Sequence, residues 1–151
     1  MKRLLPLFAC LALALAFTAP AIAGPYTDDL SKCLVRSTTP EEKSLLVQWM
    51  FANMALHPDV KYLARVTPAE RDKLNQKVAV LFESLLTRTC VSEARDAVKN
   101  EGPSTFEASF TVLGSVAGRD LASHPQVQAG FAEFAKAING PKIEKALAAK
   151  Q

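Results

Sequence analysis

The chain has 151 residues, with 18 Lys and Arg against 15 Asp and Glu and a formal net charge of +3. Basic and acidic residues alternate along the polar faces, so there is no basic stripe of the kind nucleic acid binding needs. Hydrophobic residues make up 49% of the chain, and no long Gly, Ser or Pro-rich linker, repeat array or single-charge block interrupts residues 24–151, so one domain is expected there.

The first element is a targeting segment. Met1, Lys2 and Arg3 precede an apolar run from Leu4 to Phe17, and Ala21 and Ala23 in "TAPAIAG" give the small-x-small pattern of a signal peptidase site. Cleavage is expected after Ala23. The run is shorter than the roughly 20 residues a membrane-spanning helix needs, so no integral membrane segment is expected in the mature chain. Cys10 in "LFAC" is a poor lipoprotein site, because the apolar segment continues past it. The expected organisation is a signal peptide over 1–23 and one domain over 24–151, exported to the periplasm or secreted. Losing Lys2 and Arg3 brings the basic count down to 16 against 15 acidic residues, so the mature net charge is about +1.

Two cysteines remain, Cys33 and Cys90. In an oxidising compartment only one intramolecular pairing is open to them, and a Cys33 to Cys90 disulfide is expected.

The rest of the chain reads as helix. Segments are predicted near 26–36, 40–56, 58–65, 68–87, 90–100, 103–122, 125–138 and 141–149: all-α, a single-domain compact bundle of about six to eight helices with one disulfide. "TTPEEK" at 38–43 and "VTPAER" at 66–71 each offer an N-cap Thr, a Pro at the first helical position and a Glu three residues after the cap. Leu74, Val78, Leu81, Phe82, Leu85 and Leu86 then recur at spacings of three and four, the pattern of an amphipathic helix. His57-Pro58 and His124-Pro125 mark corners between helices. Gly102 and Gly140, each followed by Pro, are predicted helix stops.

The stretch "SLLVQWMFANMALHP" at 44–58 is apolar almost all round, with only Ser44, Gln48, Ala52 and Ala55 forming a small or polar stripe. It is expected to be a central helix wrapped by its neighbours, with the Trp49 N–H finding one hydrogen-bond partner. Any part of Trp49, Met50 and Phe51 left uncovered is the first place to look for a ligand or partner. Gly114 and Gly118, four apart in "VLGSVAG", suggest close helix packing or a partner surface, since glycine inside a helix costs about 1 kcal/mol against alanine.

No catalytic or cofactor signature emerges. Cys-x-x-Cys-His is absent, so covalent haem is excluded, and Met50, Met54 and His57 read better as core and corner residues than as haem ligands. His57 with Asn53, and His124 with Asp120, could supply metal ligands only if the two corners met in space. Helix capping and carbonyl contacts account for both histidines more simply. There is no Gly-x-Ser-x-Gly elbow. The neighbouring carboxylates Asp28, Asp29, Glu41 and Glu42 suit the first turns of helices. No catalytic residue, metal or cofactor is therefore assigned, and the missing catalytic constellation points away from an enzyme.

"CLVRSTTPEEKSLLVQWMFANMALHP" at 33–58, with "TPAERDK", "NEGP" and "VLGSVAG" further on, resembles a group of small exported proteobacterial helical proteins to which no activity is attached. The resemblance implies export and helical architecture and carries over no site residue. By elimination, the leading expectation is an exported helical protein that binds another protein of the cell envelope, as an inhibitor or immunity-type factor. The alternative is a carrier of an apolar small ligand, suggested by the Trp, Met and Phe content of 49–54, and a third, less favoured, is a cell-wall hydrolase of unfamiliar type.

Overall fold

Pro and Thr punctuate the chain so that most helices start at a preset first residue. The computed structural model describes residues 24–148, so the signal peptide expected over 1–23 lies outside the described residues. Seven α-helices follow one another: α1 (Pro25–Ser37), α2 (Pro40–Met54), α3 (Pro68–Ser84), α4 (Val91–Glu101), α5 (Ser104–Ala122), α6 (Pro125–Ala137) and α7 (Gly140–Ala148). A π-helical turn, Leu85–Thr89, joins α3 to α4. The described residues contain no strand. The fold is an all-α compact bundle with one disulfide, as expected.

Both capping boxes form. Thr39 Oγ1 accepts from Glu42 N at 3.2 Å while Glu42 Oε2 accepts from Thr39 N at 2.8 Å. Thr67 and Glu70 repeat the arrangement at the same distances. These reciprocal bonds satisfy backbone donors that the first helical turn leaves free.

The core lies where α1 meets α4 and α5, and where α2 sits between α3 and α5. Leu30, Leu34, Cys90 and Leu113 are fully buried, with Leu46, Val78, Leu81 and Leu85 around them. Phe82 stacks on Phe110 at 4.0 Å between centroids and meets Trp49 edge-on at 6.4 Å, the second an arrangement suited to ring quadrupoles. The Trp49 Nε1–H donates to Asn75 Oδ1 at 2.9 Å, the single partner anticipated for it.

The α1–α5 seam is small and polar. The Thr27 carbonyl accepts from Ser31 Oγ at 2.7 Å and from Ser109 Oγ at 3.1 Å, and the Thr27 and Thr105 hydroxyls lie 2.6 Å apart. Among the described residues no buried side-chain polar atom lacks a partner, so hydrogen bonds within the seam offset the desolvation of its polar groups. At its end, the carboxylate of Glu101 closes the first turn of α1. It accepts from Tyr26 N and Thr27 N, each at 2.9 Å, and from Thr27 Oγ1 at 2.5 Å.

Cys33 and Cys90 are bonded, with their Cα atoms 5.9 Å apart. A π-helical turn leads directly into Cys90. Its closing bond runs from Cys90 N to Leu85 O at 2.7 Å, a five-residue step that turns both Leu85 and Cys90 into the core.

Three expectations need correction. The segment 58–65 is not a helix but a run of isolated turns, in which the His57 carbonyl accepts from Val60 N and Lys61 N and the Val60 carbonyl from Leu63 N. The eight residues from Pro58 to Arg65 fall below the length at which a helix sustains itself, and among the described residues no neighbour covers an apolar face of this segment. The predicted continuation of α3 to residue 87 gives way to the π-helical turn from Leu85. Gly140 does not stop α6. It opens α7, behind an Asn139 side chain that accepts from Lys142 N at 3.0 Å. Gly102, by contrast, ends α4 at φ +85°, a conformation that favours glycine.

Candidate functional site

The stretch 44–58 is only half wrapped. α3 covers one side and α5 another, burying Leu46 and Ala52 fully and Trp49 and Met50 in part. The third side stays open because 58–65 forms turns and never folds back as a covering helix. The expected central helix is therefore a flank helix, and its last turn is exposed: Phe51 is 53% accessible and Met54 64%. The uncovered apolar surface has shifted toward the C-terminal end, away from Trp49 and Met50, and it continues into Leu56, Val60, Tyr62 and Leu63, all exposed.

These side chains frame a cavity of about 760 Å³, bounded by Phe51, Met54, Leu56, Val60, Leu63 and Ala64, with Asn53, Ala55 and His57 completing the wall. The size is within the ~300–1,000 Å³ range of small-molecule sites, and so is the predominance of apolar lining with few polar groups. Asn53 is turned to the helix, donating to the Trp49 carbonyl at 2.8 Å. His57 Nδ1 accepts from Asp59 N at 3.3 Å, which fixes the turn that forms the floor of the opening.

A second depression of about 390 Å³ adjoins the first and shares Phe51 with it. Its character is different. Gln48, Ala52, Val66 and Leu74 form its base, and Arg65, Lys73, Lys77 and Glu70 stand around it. Glu70 is occupied in its capping box, and the Thr67 hydroxyl that donates to it holds its carboxyl below the usual carboxylate range. Arg71 reaches across from α3 to donate to the Ala52 carbonyl at 3.3 Å, tying the two helices together beneath the cavity.

The other predicted residues take structural places. His124 is the N-cap of α6, its Nδ1 accepting from Gln126 N at 3.3 Å. Asp120 lies 3.4 Å from Lys43 Nζ in an ion pair between α5 and α2. Each of these residues thus has a partner of its own, and among the described residues no group of three or more His, Cys, Asp and Glu comes together. Gly114 and Gly118 do not mark a close helix approach. A Cβ on Gly114 would meet only Met50 Sδ, at 3.8 Å, and one on Gly118 would meet nothing within 4 Å.

The 56–63 surface is the part of the site that sequence reasoning misses. Its signal is Leu56 just before Pro58, and Val60, Tyr62 and Leu63 between Pro58 and Pro68, two prolines too close together for a stable helix. A second apolar surface lies at the other end of the chain. α6 and α7 bury no residue, and Phe134 is 67% exposed.

Among the described residues no helix is long and apolar enough to cross a membrane. Comparison with protein-family models, with curated proteins and with solved structures finds no match for the chain.

Proposed function

We propose that the protein is an exported, non-enzymatic helical carrier that takes an apolar small ligand into the cavity at the corner between α2 and α3. The observation that carries this reading is the 760 Å³ cavity itself, walled by Phe51, Met54, Leu56, Val60 and Leu63 at a point where the chain leaves them uncovered. Keeping such a surface exposed to water costs stability, at about 25 cal/mol for each Å² of apolar area, and an apolar occupant would recover it. Export is supported by the leader-like Leu4 to Phe17 run with its Ala21 and Ala23 site, and by a disulfide of the kind that persists in oxidising compartments.

The test is titration of the purified mature protein with the neutral fluorophore N-phenyl-1-naphthylamine. A saturable rise in emission is expected, abolished by Met54→Glu and Leu63→Glu at opposite walls, with helical circular dichroism retained. No saturable rise with the parent protein would end the reading.

A second reading, binding of a protein of the cell envelope as an inhibitor or immunity-type factor, is favoured by the C-terminal helices. Val127, Phe131 and Phe134 share one face of α6, and Ile143 and Leu147 one face of α7, and among the described residues no helix packs against α7. Cross-linking in envelope extract tests it: adducts lost with Phe131→Ser and Phe134→Ser support it, and adducts unchanged by them count against it.

A further inference from the structure

We infer that the ligand taken at the α2–α3 corner is a free long-chain carboxylate, its chain in the cavity and its head on Arg65, Lys73 and Lys77. The inference rests on the carrier reading and adds the charge and the polarity of the ligand. The two depressions lie side by side with Phe51 in the wall of both, so a molecule long enough to lie past Phe51 would have one end in each. A single-chain amphiphile has that shape.

The sign of the head follows from the rim. Three cations, Arg65, Lys73 and Lys77, face the smaller depression, and one acid, Glu70, does. Glu70 accepts from Thr67 N at 2.8 Å and from Thr67 Oγ1 at 2.7 Å through the same oxygen, Oε2, which is thus engaged within its own helix turn. None of the three cations forms an ion pair among the described residues. Lys73 and Lys77 are four residues apart on α3 and so lie on one side of the helix. Two like charges at that spacing repel each other in the free protein, and an anion between them relieves the repulsion. The wider surroundings keep the same sign: Lys61 and Arg71 add to the positive side, Asp59 and Asp72 to the negative, so five cations face three acids over residues 59–77.

The affinity of such a site divides in two. The chain contributes through burial of its methylenes, and the head through charge-assisted hydrogen bonds from Arg65 and the lysines, which a neutral head forgoes. Salt weakens the second contribution and leaves the first in place.

Dodecanoate, dodecan-1-ol and dodecyltrimethylammonium, all below their micellar concentrations, are titrated against the mature protein by displacement of N-phenyl-1-naphthylamine. Dodecanoate is expected to bind at least about ten-fold more tightly than the alcohol, the worth of one charge-assisted hydrogen bond, and the ammonium least tightly. Replacing Arg65, Lys73 and Lys77 together by Gln should remove that preference and leave dodecan-1-ol binding unchanged. Equal affinity for acid and alcohol would overturn the inference while the carrier reading stands. Failure of the fluorophore and all three amphiphiles would overturn both. Binding to phosphatidylglycerol vesicles with no response to monomeric dodecanoate would also overturn it, in favour of a lipid surface.

Discussion

Removing the disulfide is the perturbation whose size can be worked out most directly. Cys33 and Cys90 are separated by 57 positions, and closing a ring of that length withdraws about 14 cal/mol/K of chain entropy from the unfolded state, or about 4 kcal/mol at 25 °C. Cys90 is fully buried and Cys33 nearly so, so alanine at both positions also leaves a small void worth about 1 kcal/mol. The sum is a large part of the roughly 5–15 kcal/mol by which domains of this size are stable. The Cys33→Ala, Cys90→Ala double variant should therefore unfold at about 2 M less urea and on the order of 15–20 °C lower than the parent. Emission from Trp49, the single tryptophan, follows the transition, since it lies between α2 and α3 against Phe82. The parent in excess reductant provides a second arm that keeps the sulfur atoms in place. A loss under about 1 kcal/mol in both arms would refute the reasoning, because it would mean the cross-link withdraws little freedom from the unfolded chain.

Two further outcomes are expected. Gly118→Ala should stabilise the protein by about 0.5–1 kcal/mol, since a Cβ there meets nothing within 4 Å and alanine is the better helix former; a lower urea midpoint would show that the helix needs glycine at this point. Glu101 has its carboxyl held below the ordinary range, first by the Thr27 hydroxyl and then by the amides of Tyr26 and Thr27, against an opposing effect of desolvation. A group whose folded pKa is lowered contributes stability above its unfolded value and loses it as pH falls through the folded one. The parent should accordingly lose stability relative to Glu101→Gln as the pH is taken from 6 to below the carboxylate range, and parallel curves in urea titrations at each pH would contradict this.

Local signals proved the most legible. Thr39, Pro40 and Glu42, and their counterparts Thr67, Pro68 and Glu70, specify helix starts through bonds made within four residues, and both boxes form as read. The pairing of Cys33 with Cys90 needed only a count. What the sequence concealed depends on distant partners. Glu101 closes α1 from 74 positions away, and nothing near residue 101 distinguishes it from any other exposed glutamate. Leu85 to Thr89 have ordinary helical composition, and the π-helical step is set by the burial of Leu85 and Cys90 on either side of it. The apolar density of 44–58 was plain, but whether it is covered depends on 58–65. There the His57-Pro58 corner suggested the start of a helix, and the shortness of the segment between prolines decided otherwise. Gly114 and Gly118 show the reverse error, a spacing associated with close packing at positions where the nearest neighbour is only the Met50 sulfur beside Gly114, and where none lies near Gly118.

The disulfide also defines a covalent ring that includes α2 and α3, and Lys61 and Tyr62 sit midway round it, on the turns beside the cavity. Exposed loop tips are where proteases cut first, and Lys61 and Arg65 are both exposed there. A single cut at either would open the ring without freeing a piece. The nicked molecule would keep one mass, plus a water, until reduced, and then part into two. Opening the ring in this way would give the wall of the cavity new chain ends while the core beneath stayed covalently joined, so access to the site and integrity of the fold can be altered one at a time.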